Sequence, residues 1–269
     1  QAYRMRYRAS FGGAESVRAS SGDPQYPPPG ATINYWLGPD VRGPVSLEIA
    51  DSQGRVVRRF SSAAVGESMQ PPEQPGMRRP ELEQTGTPRL PAVSGLNRFV
   101  WDLAHPGPWD SNPRRSGRNG PMATPGTYTV RVSADGVTGS EPLLVRMDPR
   151  AVADGAGAAE VRQLLAHNIS VRDLVTDVNR AVARVQTARR AVPSANGIAP
   201  ERLTAIEKRL VTPAVRYSQP GLQAQIQYLY GAVMDADQVV GGDAVARYDV
   251  LRKELDSLLA ELRNLQGSQ

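Results

Sequence analysis

The chain has no cysteine, which excludes disulfides, thiolate nucleophiles and Cys-ligated zinc. Histidine is scarce: His105 and His167 are the only two, so a metal site would have to rest on carboxylates. Neither histidine has a local context that would orient a Ser-His-Asp triad. Lysine is confined to Lys208 and Lys253, and arginine supplies nearly all the positive charge. No run of about 18 apolar residues is present, so no membrane span is expected, and no charged-then-apolar start marks a signal peptide. GxxxxGK[ST], GxGxxG after a strand, GxSxG and HExxH are all missing, which removes the usual support for nucleotide binding and for the common hydrolase motifs. No cofactor, metal or catalytic residue is expected.

What is present is a chain of 269 residues with a formal charge of +5, 23 prolines and 25 glycines. That length suits two domains, and so much Pro and Gly implies long irregular connections. Arginine alternates with Asp and Glu along both halves, which reads as Arg-for-Lys usage rather than a binding patch. Nucleic acid is therefore not an expected partner. The opening QAYRMRYR, without an initiator Met, reads as the start of a piece excised from something longer.

The sequence changes character near MDPRAVADGAGAAE, and a domain boundary is expected at about Arg150. Before it, six runs read as strands: ATINYWL (31–37), VSLEIAD (45–51), RVVRRF (55–60), NRFVWDL (97–103), GTYTVRV (126–132) and PLLVRM (142–147). In the second, Val45, Leu47 and Ile49 point inward while Ser46, Glu48 and Ala50 point outward. DSQGR and Ala134-Asp135-Gly136 read as hairpin turns. This predicts an Ig-like β-sandwich over 31–150, interrupted by long insertions at 61–94 and 104–123. The Pro-rich first insertion is expected to run extended over a neighbouring surface. After the boundary, Val161, Leu164, Asn168, Val171, Val175, Val178, Val182 and Val185 form one apolar stripe along a helix of about 50 Å. Leu222, Ile226, Leu229, Val233, Ala236 and Val240 form a second, and Tyr248, Leu251, Leu255, Leu258, Leu262 and Leu265 a third, with a shorter piece at ERLTAIEKRL. Gly241-Gly242 should end one helix and Asp243 should N-cap the next. Stripes of this kind pack as an antiparallel bundle of three to four helices over 151–269.

The succession YPPPGATINYWL, VSLEIADSQGRVVRRF, GLNRFVWDL, PGTYTVRV with MDPR, and the helix ending VNRAVARVQTARR resembles the C-terminal region of large secreted bacterial BNR-repeat, sortilin-like β-propeller proteins. The order of these signatures carries the likeness, which covers residues 25–265. The resemblance implies a FlgD-type Ig-like domain, with residues 1–30 as a strap leaving an upstream propeller. It further implies a secreted, periplasmic or cell-surface location and the propeller as partner. Family members are often described as glycosyl hydrolase-like, a description attached to the propeller; no catalytic residue is carried over from it.

Within GLNRFVWDLAHPGPW, Asn97, Phe99 and Trp101 share one strand face and Asp102 points the other way, so the aromatics read as core. A carboxylate pair of Asp102 with Glu48 or Asp110 is the weaker reading. DADQVVGGD offers Asp235, Asp237 and Asp243 but lacks the spacing of a calcium loop. Asn168 interrupts an apolar stripe, either setting helix register through a buried hydrogen bond or lying at the rim. Trp109, read as exposed beside Arg114, Arg115 and Arg118, is the one candidate contact residue, for a protein partner or a glycan. The expected role is structural: bracing a propeller and mediating assembly. The alternative is an accessory carbohydrate-binding module or subunit of a glycoside hydrolase-like propeller enzyme.

Overall fold

A computed structural model describes residues 1–5, 30–63, 88–191 and 200–267. The chain divides into two compact units, Gln1–His105 with Met122–Ala158, and Pro106–Pro121 with Ala159–Gln269. Sheets occupy the first and helices the second, so the chain is mixed α and β.

The strand unit holds β1 (Ala2–Arg4), β2 (Ala31–Leu37), β3 (Ser46–Ala50), β4 (Val56–Ser61), β5 (Gly95–Trp101), β6 (Gly126–Ala134) and β7 (Val137–Met147), then a short helix α1 (Pro149–Ala153). Five strands form one sheet in the order β1-β7-β6-β3-β4, and β2 and β5 form a separate two-stranded ribbon. β1 runs parallel to β7 and every other pairing is antiparallel. The expected alternation in β3 holds, with Val45, Leu47 and Ile49 fully buried. The β3–β4 turn closes because the Asp51 carboxylate accepts from the backbone N–H groups of Gln53 at 2.9 Å and Arg55 at 3.0 Å. The β6–β7 turn uses Asp135 and Gly136, at φ 47° and 81°, left-handed values that suit a two-residue hairpin.

Ribbon and sheet share one apolar core. Phe60 of β4 meets Phe99 of β5 with ring centroids 4.6 Å apart, and Trp101 of β5 meets Tyr128 of β6 edge-on at 5.6 Å. The Trp101 indole N–H donates to the Ala104 carbonyl at 3.1 Å, so a fully buried ring keeps its polar atom satisfied. Several strand boundaries differ from expectation by one or two residues, and β7 and β1 differ more. β7 starts at Val137 rather than Pro142, because residues 137–142 are all exposed and carry no apolar alternation to read. β1 has only three residues, too few for a periodic signal; it is held by Arg4, whose guanidinium donates to the Met122 and Ala123 carbonyls at 2.6 Å each. Of the expected strap, 6–29 lies outside the described residues, as does 64–87 of the first insertion.

The helical unit contains α2 (Ala158–Ala191), α3 (Pro200–Leu210), α4 (Leu222–Met234) and α5 (Gly242–Gly267). Their stripes meet in one cluster that includes Val171, Val178, Val185, Leu203, Ile226, Leu251 and Leu255. Arg252 of α5 donates to Asp177 of α2 at 2.7 Å and also pairs with Asp256 on its own helix. α4 stops at Met234, seven residues before the expected Gly-Gly end. The intervening DADQVVGG combines Asp, paired Val and Gly, all poor helix formers, so packing has little to sustain. α5 then begins at Gly242, which places Asp243 inside the first turn rather than at the cap. Among the described residues, no helix is long and apolar enough to cross a membrane.

Candidate functional site

Residues 106–121 fold into a compact loop that belongs with the helices. Gly107 and Gly117 tie its ends: Gly107 N–H donates to the Gly117 carbonyl and Gly117 N–H to the Pro108 carbonyl, both at 2.9 Å. A Cβ on Gly107 would lie 1.6 Å from the Arg118 carbonyl oxygen, so only glycine fits. Inside the loop, the Asp110 side chain accepts from Asn112 N–H at 2.7 Å and the Asn112 side chain accepts from Arg114 N–H at 3.0 Å. These are side-chain-stabilised turns of the kind that Asp and Asn favour.

Trp109 is the anchor, and it is half-buried rather than exposed. Its backbone N–H donates to Thr176 Oγ1 at 3.1 Å, and its carbonyl accepts from Asn179 Nδ2 at 2.8 Å. Asn179 Oδ1 in turn accepts from Gln223 Nε2 at 2.8 Å, so one buried amide joins the loop, α2 and α4. At the far end, the Tyr230 hydroxyl of α4 donates to the Asn119 carbonyl at 2.6 Å. The Arg180 guanidinium sits over the Trp109 ring, 5.9 Å from its centroid, a cation–π contact that occupies one face. Arg114, Arg115 and Arg118 are exposed, and Arg115 pairs with Asp110 at 3.1 Å.

The carboxylates Glu48 and Asp102 have separate structural duties. Glu48 pairs with Arg59 at 2.6 Å and with Arg131 at 3.7 Å, across the outer face of β3. Asp102 is exposed and caps its turn by accepting from Ala104 N–H at 3.1 Å. Among the described residues, no group of three or more His, Asp or Glu side chains is arranged to hold a metal ion. Asn168 is buried at 4% exposure, not at a rim, yet its Oδ1 has no hydrogen-bond partner. The expected register-setting bond is absent on that atom.

Three features escaped the sequence reading. Trp36 is 74% exposed and stands directly opposite Leu96, 64% exposed, on the outer face of the β2–β5 ribbon. The signal was available: strict alternation in ATINYWL puts Trp36 on the face of Thr32 and Asn34, away from Ile33, Tyr35 and Leu37. Tyr35 is the inward counterpart, its hydroxyl donating to the Pro91 carbonyl and its pKa pushed up to about 12 by burial. The second feature, Arg58, is buried on the core side of β4, its guanidinium 5.4 Å from the Phe60 centroid and its Nε unpartnered. Burial depresses its pKa, opposed by the nearby Asp102 charge. The third is His167, whose Nε2 is also buried and unpartnered; its ring meets Tyr248 edge-on at 5.9 Å. Burial lowers its pKa, with Asp249 acting in the other direction.

Compared with known protein families, with curated proteins and with solved structures, the chain matches none.

Proposed function

We propose that this chain is a non-catalytic structural and interaction region of a secreted bacterial β-propeller protein, bracing the propeller and mediating assembly. In this reading the first unit is an Ig-like β-sandwich of the FlgD type and the second an antiparallel helical bundle. Support for the sandwich comes from the aromatic core shared by the five-stranded sheet and the ribbon. The common apolar cluster of α2 to α5 supports the bundle. The partner would be the propeller of the same precursor or complex, outside the bacterial cytoplasm.

The observation that carries the interaction role is the outer face of the ribbon. Trp36 and Leu96 lie side by side there, both mostly exposed, with Val93 close in sequence at 62% exposure. A large aromatic beside an aliphatic on an exposed strand pair is the composition of an interface centre. The Trp109 loop, by contrast, spends its contacts inside the helical unit, so stacking on a sugar has less support than a scaffolding role.

The test is a binding assay between the purified chain and the propeller region of its precursor. Binding is expected, with a loss of about tenfold on Trp36→Ser, a surface change that leaves the far-UV circular dichroism intact. Glycan hydrolysis by the isolated chain, or binding indifferent to Trp36→Ser, would overturn the reading.

A further inference from the structure

The loop over 106–121 docks on α2 between Arg172 and Arg180. Arg172 donates to the Pro106 carbonyl at 3.4 Å, and the Arg180 guanidinium lies over the Trp109 ring, 5.9 Å from its centroid. Arginine alternates with acidic residues along the sequence, but docking upsets that balance locally. Across 106–121 and 172–184, Arg114, Arg115, Arg118, Arg172, Arg180 and Arg184 stand against Asp110, Asp173 and Asp177 alone. All three carboxylates are engaged: Asp110 with Arg115 at 3.1 Å, Asp173 with Arg172 at 2.7 Å and Asp177 with Arg252 at 2.7 Å. Arg114 and Arg180 are exposed and have no carboxylate partner among the described residues. Arg180 and Arg184 are four positions apart on one helix, about 6 Å along its axis, and like charges at that spacing destabilise a helix.

We propose that the 106–121 loop and the adjoining face of α2 form a docking surface for an acidic polypeptide segment, whose carboxylates pair with Arg114 and Arg180. Charge complementarity calls for an anionic partner, since a guanidinium offers a planar fork of N–H donors to carboxylate or phosphate. A guanidinium stacked on a ring keeps its N–H edge for an anion, so the contact with Trp109 positions Arg180 without using its donors. The surroundings decide which anion. A glycan or a single-stranded nucleic acid needs an open aromatic face to stack on, and Trp109 is half-buried with Arg180 over it. A membrane surface needs apolar side chains to insert, and among the described residues none of the exposed large apolar side chains falls within 106–121 or 159–191. Recognition then rests on charge and hydrogen bonding, which an acidic chain supplies. When extended, its carboxylates at alternate positions repeat every ~6.6 Å, close to the rise from Arg180 to Arg184. The loop is also fixed in advance by Gly107, Gly117, Asp110 and Asn112, which reduces the ordering needed on binding. The inference goes beyond the bracing role and uses none of the residues on which that role rests.

The probe is a short fluorescein-labelled peptide of alternating Glu and Ser, titrated with the whole chain and read by fluorescence anisotropy at about 50 mM salt. Saturable binding with Kd below about 100 µM is expected, weakening about tenfold at about 300 mM salt. Arg114→Gln, which changes an exposed side chain, should raise Kd about fivefold, and Arg180→Gln about tenfold. Arg180→Gln also removes the contact with Trp109, so Arg114→Gln carries the test if the first variant melts lower. Arg216→Gln removes the same charge from an exposed arginine elsewhere on the helical unit and should leave Kd within about twofold. Trp36→Ser should leave it unchanged as well, which keeps this surface separate from the ribbon contact. Absence of saturable binding up to about 1 mM chain, or equal weakening by Arg114→Gln and Arg216→Gln, would overturn the proposal. Tighter binding of a charge-matched oligothymidylate, oligogalacturonate or phosphatidylglycerol vesicle than of the peptide would overturn it too.

Discussion

Arg58 lies on the core side of β4 because it alternates regularly with the buried Phe60, and the strand bulges only beyond it. Leu47 faces Phe60 and Ile49 faces Arg58, but Ala50 faces Val56, so Val57 is the extra residue and two consecutive side chains turn inward. A guanidinium with an unpartnered Nε at 6% exposure is costly, since a buried donor without an acceptor forfeits its hydration. Replacing it with an apolar side chain of similar length removes that cost and keeps the contact with Phe60. Arg58→Met is expected to stabilise the chain by about 1 to 3 kcal/mol, read as a higher urea midpoint at unchanged slope. Arg59→Met, on the exposed face opposite Glu48, should move the midpoint much less. His167 behaves differently because it can titrate. Burial holds its folded pKa below the ordinary histidine value, so the folded state prefers the neutral ring. Its contribution to stability is present above the unfolded pKa and is lost as the pH falls through the folded value. The melting temperature of the unaltered chain should therefore drop between pH 7.5 and 5.5 by more than that of His167→Gln; parallel pH profiles for the two would refute this. Alternation with Phe60 would have placed Arg58 inward, but RVVRRF gives no sign of the bulge at Val57 and a histidine inside a helix carries no mark of its neighbours.

Among elements, the loop over 106–121 is the clearest case of irregular chain that is nonetheless well determined. Two glycines close it, Asp110 and Asn112 turn it, and the Trp109 backbone is bound on both sides by α2. Asn179 holds the junction, since its amide joins the Trp109 carbonyl to Gln223 of α4 and is itself 6% exposed. Asn179→Ala would leave the Trp109 carbonyl without its donor, and a loss of about 1 to 3 kcal/mol is expected. Trp109→Ala, which removes a half-buried ring, should cost about 2 kcal/mol. Both losses should appear in the helical signal at 222 nm, and an unchanged 222 nm transition in Asn179→Ala would show that the loop does not brace the helices. The loop's existence could be read from HPGPWDSNPRRSGRNGPM, as could Trp109's importance. Its allegiance could not, because the groups that receive it are 67 or more positions away along the chain.

At the scale of the whole molecule, the chain passes between its two units three times: before Pro106, after Pro121 and after Ala158. A contiguous cut near Arg150 was the natural expectation from composition, because hydrophobic period changes from two to 3.6 there. α1 nevertheless clusters with the strands, its Ala151 fully buried and its start capped by Asp148, which accepts from Arg150 N–H at 3.0 Å. The outer face of the ribbon likewise acquires meaning only at this scale. A seven-residue strand with Trp at its sixth position is unremarkable until one knows that it pairs with β5 and sets that Trp opposite Leu96.

Periodicity by itself determined where most strands and helices lie, which residues of β2, β3, β5 and α2 are buried, and that the aromatics of NRFVW belong to a core. Those properties are local, set by whether a side chain falls on the apolar side of a two-residue or 3.6-residue repeat. Tertiary structure alone decided the strand order, the bulge that turns Val57 inward beside Arg58, and the unit to which the Trp109 loop belongs. Each of these depends on a partner distant along the chain, and a pattern of residues records which face is apolar without recording what that face meets.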